Sequence, residues 1–296
     1  MLTKKQFQLL DFVAEDSFEG VAAAAKQLKI QKDELQSVYD ELAEQGLVNG
    51  LEITEKGLEA LEPYRVKRAV FIAAGFGSRM LPITLNTPKP LVRVNGVRMI
   101  DTLIDAVVAA GIEEIYVVRG YLAEQFDQLL YKYPMIKFLE NPRYNQGNTI
   151  LSVNCAGELL RNAYMFEADL ILSNTRLVKK YQYESNYCGI PVKETEDWYF
   201  KRDENGYINE IGQGGKDCCQ MIGIGYYTDE DGARFAKYVS KTLEQPGGEK
   251  NYVSYIPFRY YKDEFKISIT ECEFKDIVEI DSYKELCEID PAYKVE

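Results

Sequence analysis

Apolar residues recur at two different periods along this chain, and the change of period divides it in two. Behind a polar start at Thr3, Phe7, Leu10 and Val13 fall at helical spacing. Gly20 opens a second short helical run, Val21 to Leu28. A third run starts at Lys32 or Asp33 and keeps Leu35, Val38, Tyr39 and Leu42 on one face. Gly46 to Thr54 then reads as a tight turn between two short strands. Beyond Pro63-Tyr64-Arg65 the pattern becomes short apolar runs separated by helical stretches. Arg68 to Ala74, Glu114 to Gly120, Ile136 to Glu140 and Ala163 to Asp169 have the length and content of buried strands. Met99 to Gly111, Ala123 to Tyr131 and Ile150 to Leu160 read as the helices between them. Trp198 to Ile211 reads as a hairpin around Asn205-Gly206.

Strand–helix alternation of this kind predicts an α/β fold with a doubly wound, mostly parallel, Rossmann-like sheet. We place the first domain at 1–64 and the second at 65–296. The first, three helices and a strand pair, resembles a winged helix-turn-helix. That shape suggests DNA binding, but the charge opposes it. Residues 1–62 hold six Lys and Arg against thirteen Asp and Glu, a balance of −7. The third helix, where a recognition helix would sit, carries Asp33, Glu34, Asp40, Glu41 and Glu44. Affinity for DNA rests on basic residues that neutralise phosphates. An interaction, regulatory or structural role is therefore expected, and nucleic acid is not expected as a partner.

Composition narrows the chemistry. The chain of 296 residues has no histidine. That excludes Ser-His-Asp and Cys-His catalysis and every His-ligated metal. The six cysteines, Cys155, Cys188, Cys218, Cys219, Cys272 and Cys287, form no C-x₂-C pair, so reduced, structural thiols are expected. No apolar run is long enough to span a membrane, and the polar N-terminus lacks a signal-peptide core. A cytoplasmic protein with no membrane partner is the expectation.

The richest segment follows the first strand of the second domain. It runs Gly75-Phe76-Gly77-Ser78-Arg79-Met80-Leu81-Pro82-Ile83-Thr84-Leu85-Asn86-Thr87-Pro88-Lys89-Pro90. Glycines let a backbone approach a polyphosphate and offer it N–H donors. Arg79 can grip phosphate oxygens in a fork, and Lys89 is a point charge between two stiffening prolines. A Walker motif is absent, and the G-x-G-x-x-G pattern is broken at Met80.

Ala73-Ala74-Gly75-x-Gly77-x-Arg79, Pro82-x-Thr84 and Pro88-Lys89-Pro90 together resemble the signature of the nucleotidyltransferase superfamily that makes NDP-sugars and CDP-alcohols. The resemblance covers the second domain. It implies that Ala73, Ala74, Gly75, Gly77, Ser78, Tyr121 and Asn148 bind a nucleotide, and that Arg79 and Lys89 act on its phosphates. It also implies Mg²⁺ at two aspartates. Asp169 and Asp281 each end a candidate strand, where ligands of such sheets bind. Glu167 and Glu279, two residues earlier on the same strand face, are the reserve candidates.

Within the superfamily the chain is most similar to the bacterial CTP:phosphocholine cytidylyltransferases. The similarity lies in Gly120 to Phe126, Tyr144 to Asn148, Asp197-Trp198-Tyr199 and Val278 to Ser282. It implies CMP transfer from CTP to phosphocholine or a related phospho-amine. Alternatives are a sugar-1-phosphate nucleotidyltransferase and a nucleotide-sensing regulator without catalysis. In any of these the partners are small molecules, an NTP and, for the enzymes, a phosphorylated acceptor. Aromatic faces bind quaternary ammonium, and Trp198, Tyr199, Tyr226 and Tyr227 are the candidates for an acceptor cage. Where those relatives carry an acidic, Trp-rich motif, this chain has Asn251 to Pro257.

Overall fold

The computed structural model describes residues 1–15 and 18–294. They form two compact units, one of 1–65 with 180–183 and one of 66–179 with 184–296.

The first unit contains α1 (Lys4–Ala14), α2 (Val21–Leu28), α3 (Lys32–Glu44), the strand pair β1 (Val48–Asn49) and β2 (Glu52–Ile53), and α4 (Glu55–Leu61). Thr3 and Gln6 cap α1 reciprocally. Leu9 and Leu10 of α1 pack with Leu35 and Leu42 of α3 and Leu61 of α4, all fully buried. The sequence pattern ended at Thr54, yet α4 starts there, because the Thr54 hydroxyl accepts the Gly57 N–H. The chain returns to this unit at 180–183. Tyr181 donates to Glu62 at 3.0 Å, and the Tyr183 ring stacks on Tyr64 at 5.5 Å. No local pattern announces that return. The five acidic residues named on α3 are all exposed.

The second unit is built on seven strands in the order β12-β10-β11-β8-β3-β6-β7. In chain order its elements are β3 (Arg68–Ile72), the small pair β4 (Arg93–Val94) and β5 (Val97–Arg98), α5 (Met99–Ala109), β6 (Glu114–Arg119), β7 (Lys137–Glu140), α6 (Ile150–Ala156), β8 (Ala163–Glu167) and β9 (Leu170–Leu172). Then follow β10 (Asn186–Arg202), β11 (Ile208–Tyr227), α7 (Asp229–Leu243), β12 (Ser268–Glu271), β13 (Ile277–Glu279) and α8 (Tyr283–Ile289). Strands β7, β6, β3 and β8 run parallel; β11 is antiparallel to both β8 and β10. The segment 123–131 forms a 3₁₀ helix where an ordinary helix was expected.

Apolar side chains cover both faces of the sheet, which explains why its strands read as continuous apolar runs. Phe71 of β3 lies opposite Phe166 of β8, fully buried, with rings stacked at 4.7 Å. Truncating either to Ala is worth about 3–5 kcal/mol. This rigid centre matters because the phosphate loop leaves β3 and Asp169 follows β8.

Candidate active site

The loop after β3 is folded on itself before it meets any ligand. Gly77 sits at φ +68°, and a Cβ there would lie 3.0 Å from the Lys89 Cβ and 3.1 Å from the Thr84 Cγ2. Glycine is required both for the left-handed backbone and for that approach. The Thr84 hydroxyl, fully buried, donates to the Gly77 carbonyl at 2.9 Å. Tyr121 braces the same loop: its N–H donates to the Ala74 carbonyl and its hydroxyl to the Thr84 carbonyl. Its hydroxyl is thus directed at the loop backbone, where nucleotide contact was expected.

The metal candidates converge through a strand pair. β13 runs antiparallel to β9, with Glu279 opposite Leu170, and the Ile280 N–H donates to the Asp169 carbonyl at 3.1 Å. This sets Asp281 beside Asp169. Asp281 could have been spent as a helix cap, but Ser282 and Glu285 form the capping box of α8. The Glu285 carboxylate takes the Asp281 N–H, which leaves the Asp281 side chain free for ion pairing. Lys89 Nζ donates to Asp169 Oδ2 at 2.8 Å and to Asp281 Oδ1 at 2.9 Å, and Arg79 Nη2 donates to Asp281 Oδ1 at 2.7 Å.

Burial by itself would lower the Lys89 ammonium. Asp169 and Asp281 more than offset it and hold the group above its ordinary value. Glu167 and Glu279 join Asp169 in a cluster whose oxygens lie within 4.8 Å of one another. Burial, then the neighbouring carboxylates, pushes Glu167 up to about 7 and Glu279 well above the carboxylate range. Like charges this close are relieved by taking up protons or by a cation. Asp169 Oδ1 is buried and has no hydrogen-bond partner among the described residues. An orphaned carboxylate oxygen inside an acidic cluster fits a hard divalent cation. The reserve residues Glu167 and Glu279 lie in this cluster with Asp169, and Asp281 faces Asp169 across Lys89, which the two aspartates share.

These groups line a cavity of about 610 Å³ with Ala73, Gly75, Gly77, Ser78, Asn148 and Trp198. Ala74 is the exception among the loop residues. It alternates away from Ala73 into the core at 1% exposure. Asn148 reaches the cavity, but its amide donates to the Lys250 carbonyl and its N–H to the Glu249 carbonyl. It ties its loop to the segment that carries Tyr252.

The expected acceptor cage needs correction. Tyr226 and Tyr227, at 3% and 1% exposure, belong to the cores on the two faces of the sheet. Tyr226 donates to Asn162 Oδ1 at 3.0 Å, and Tyr227 stacks on Phe235 at 4.7 Å. Tyr199 follows Trp198 in β10 and so faces the other way, packed on Gly212 and Gly215 and donating to Glu210. Trp198 does line the cavity. Its aromatic neighbours are Tyr252 at 5.3 Å and Tyr255 at 5.6 Å, and Tyr252 lines the cavity with it. Asp197, Gln213 and Ser254 also line it. Sequence reading passed over Tyr252, although it lies inside the stretch marked as a departure.

The described residues include no helix long and apolar enough to cross a membrane. Residues 68–190 match the family model described as "Nucleotidyl transferase". The 2-aminoethylphosphonate cytidylyltransferase of Lancefieldella rimae is 38% identical over 228 residues, covering 76% of this chain and 92% of that protein. The choline-phosphate cytidylyltransferase of Streptococcus pneumoniae is 29% identical over 229 residues, covering 75% and 97%. A solved structure of the CTP:phosphocholine cytidylyltransferase from Streptococcus pneumoniae superposes with a TM-score of 0.71 at 27% identity, covering 78% of this chain and all of that one. With the sheet, the phosphate loop and the acidic cluster already described, the chain belongs to the nucleotidyl transferase family and is a nucleotidyltransferase.

Proposed function

We propose that the protein transfers CMP from CTP to a small phosphonate or phosphomonoester bearing a positively charged amine, and releases pyrophosphate. The observation that carries this reading is one cavity lined by both a Lys89–Asp169–Asp281 ion cluster and an Asp197–Trp198–Tyr252 wall. The first suits a triphosphate with a cation; the second suits an ammonium group. The choice of CTP and of a phospho-amine is supported by the named activities of the relatives.

The chemistry needs no histidine. A phosphomonoester has its second pKa near 6, so it is largely a dianion at neutral pH. An acceptor oxygen forms a bond to the α-phosphorus, and the bond from that phosphorus to the bridging oxygen breaks. Pyrophosphate departs with the electron pair. Lys89 and Arg79 stabilise the charge on the α-phosphate and the leaving group, and the loop from Gly75 to Ser78 offers backbone N–H donors. Asp169 and Asp281, with Glu167 and Glu279 beside them, would hold Mg²⁺, which would neutralise phosphate charge when bound. Ring faces at Trp198 and Tyr252 favour a second acceptor, phosphocholine, since a quaternary ammonium binds by cation–π attraction.

Pyrophosphate release tests the reading, with the four NTPs against 2-aminoethylphosphonate, phosphoethanolamine, phosphocholine and a panel of sugar 1-phosphates. Turnover confined to CTP with the amines is expected. Turnover with sugar 1-phosphates would discard the amine reading and keep the phosphate loop.

A further inference from the structure

Asp197 is held in a way that its neighbours on β10 are not. Thr195 pairs with Gly215, but Trp198 pairs with Gln213, so the strand carries an extra residue between them. A bulge of this kind re-aims side chains and commonly borders active sites. Glu196 and Asp197 lie in it, and Asp197 lines the cavity beside Trp198.

A closed set of hydrogen bonds fixes the Asp197 carboxylate. Its N–H donates to Thr195 Oγ1 at 3.1 Å. The Thr195 hydroxyl donates to Gln220 Oε1 at 2.9 Å. Gln220 Nε2 then donates to Asp197 Oδ2 at 3.1 Å. The Asp197 carboxylate, which only accepts, decides which way the Gln220 amide points, so its NH₂ faces the carboxylate and its oxygen takes the Thr195 hydroxyl. Asp197 Oδ1 carries no hydrogen bond among the described residues. Asn251, nearby in sequence to Tyr252, cannot serve in its place. Its amide donates to the Gly248 carbonyl, and its oxygen accepts from Tyr260; it is also uncharged.

We infer that Asp197 is the specificity-determining acid for the acceptor's positive group, and that Gln220, braced by Thr195, is its positioning residue. This rests on the proposed amine acceptor. It also sharpens that proposal. A carboxylate oxygen with open lone pairs gains most from a donor, and a primary ammonium has N–H donors that a quaternary one lacks. Primary amines are therefore preferred over choline at this site.

The test is steady-state kinetics with CTP and three acceptors: 2-aminoethylphosphonate, phosphocholine, and propylphosphonate, which puts a methyl where the ammonium stands. Wild type should favour the amine over propylphosphonate. Asp197→Asn should raise KM for 2-aminoethylphosphonate by about 10- to 100-fold, the worth of a charge-assisted hydrogen bond. Its KM for CTP and its rate with propylphosphonate should stay within about twofold, which also reports an intact fold. Gln220→Ala should raise the amine KM about 3- to 10-fold with kcat nearly unchanged, a smaller effect because Asp197 keeps its charge and loses only one hydrogen bond that orients it. Full amine preference in Asp197→Asn would overturn the assignment while leaving the amine reading intact. Wild type that turns over no amine acceptor would remove both.

Discussion

Lys89 and Trp198 line one cavity, yet they are held in opposite ways. Lys89 has 10% of its side chain exposed and is clamped between two carboxylates. A glycine at position 77 makes room for its stem. Trp198 touches aromatic rings from a segment over fifty residues away, and Tyr252 among them is 50% exposed. The lysine sits in a charge network where each member depends on the rest. The tryptophan belongs to a wall of side chains that contact one another through ring edges. Loss of a network member leaves partners uncompensated in a buried place; loss of a wall residue leaves space. The first should stop chemistry, and the second should loosen binding.

The harshest way to break the comparison is Asp169→Ala. Asp169 pairs with Lys89 and carries the orphaned oxygen of the acidic cluster. Its removal should lower kcat by about a thousandfold or more, with the fold retained by circular dichroism. Chelation of the wild-type enzyme should give a similar loss, restored by Mg²⁺. Near wild-type turnover in the mutant would take Asp169 out of the cation site.

Trp198→Ala should act on the other half. With cation–π contacts worth up to about 2 kcal/mol when desolvated, the acceptor KM should rise roughly 10- to 30-fold while KM for CTP and kcat change little. An acceptor KM that does not move would strip the aromatic wall of its role. A collapse of kcat would mean that wall and network are one device, and the contrast drawn above would fail.

The two halves also differ in how far a sequence betrays them. Arg79 and Lys89 sit in one contiguous stretch, with glycines and prolines whose backbone demands are local. Asp169 and Asp281 were legible because strand ends are where such sheets bind ligands. Their meeting at Lys89 was not, since it depends on the β9–β13 pairing and on Ser282 taking the cap. The acceptor wall was read in part. Trp198 stands out as the single Trp of the chain, whereas Tyr226 and Tyr227 are aromatic at a strand end, a property that core residues share. Tyr252 belongs to no regular element, and its meeting with Trp198 is a tertiary fact. The bulge at 196–197 likewise appears only once β10 and β11 are in register. In the first unit, the three helices and the strand pair followed from spacing and turns. The return at 180–183 did not, since four residues carry too little pattern to assign.

The mildest test sharpens the boundary between wall and core. Tyr226→Phe removes a hydroxyl that donates to Asn162 inside the sheet's core. Burial, together with nearby Tyr164, raises this phenol to values where it stays protonated at any working pH. Its contribution is therefore that of a neutral hydrogen bond, about 1 kcal/mol of stability, read as a small shift in the denaturant midpoint with unchanged slope. The ring still fills its place against Tyr164, at 5.5 Å between centroids, so no cavity opens. Acceptor KM should stay within about twofold of wild type, in contrast to Trp198→Ala. If Tyr226→Phe instead raised the acceptor KM with stability unchanged, the hydroxyl would belong to the acceptor pocket, and the division between a packed core and a binding wall would have to be redrawn through β11.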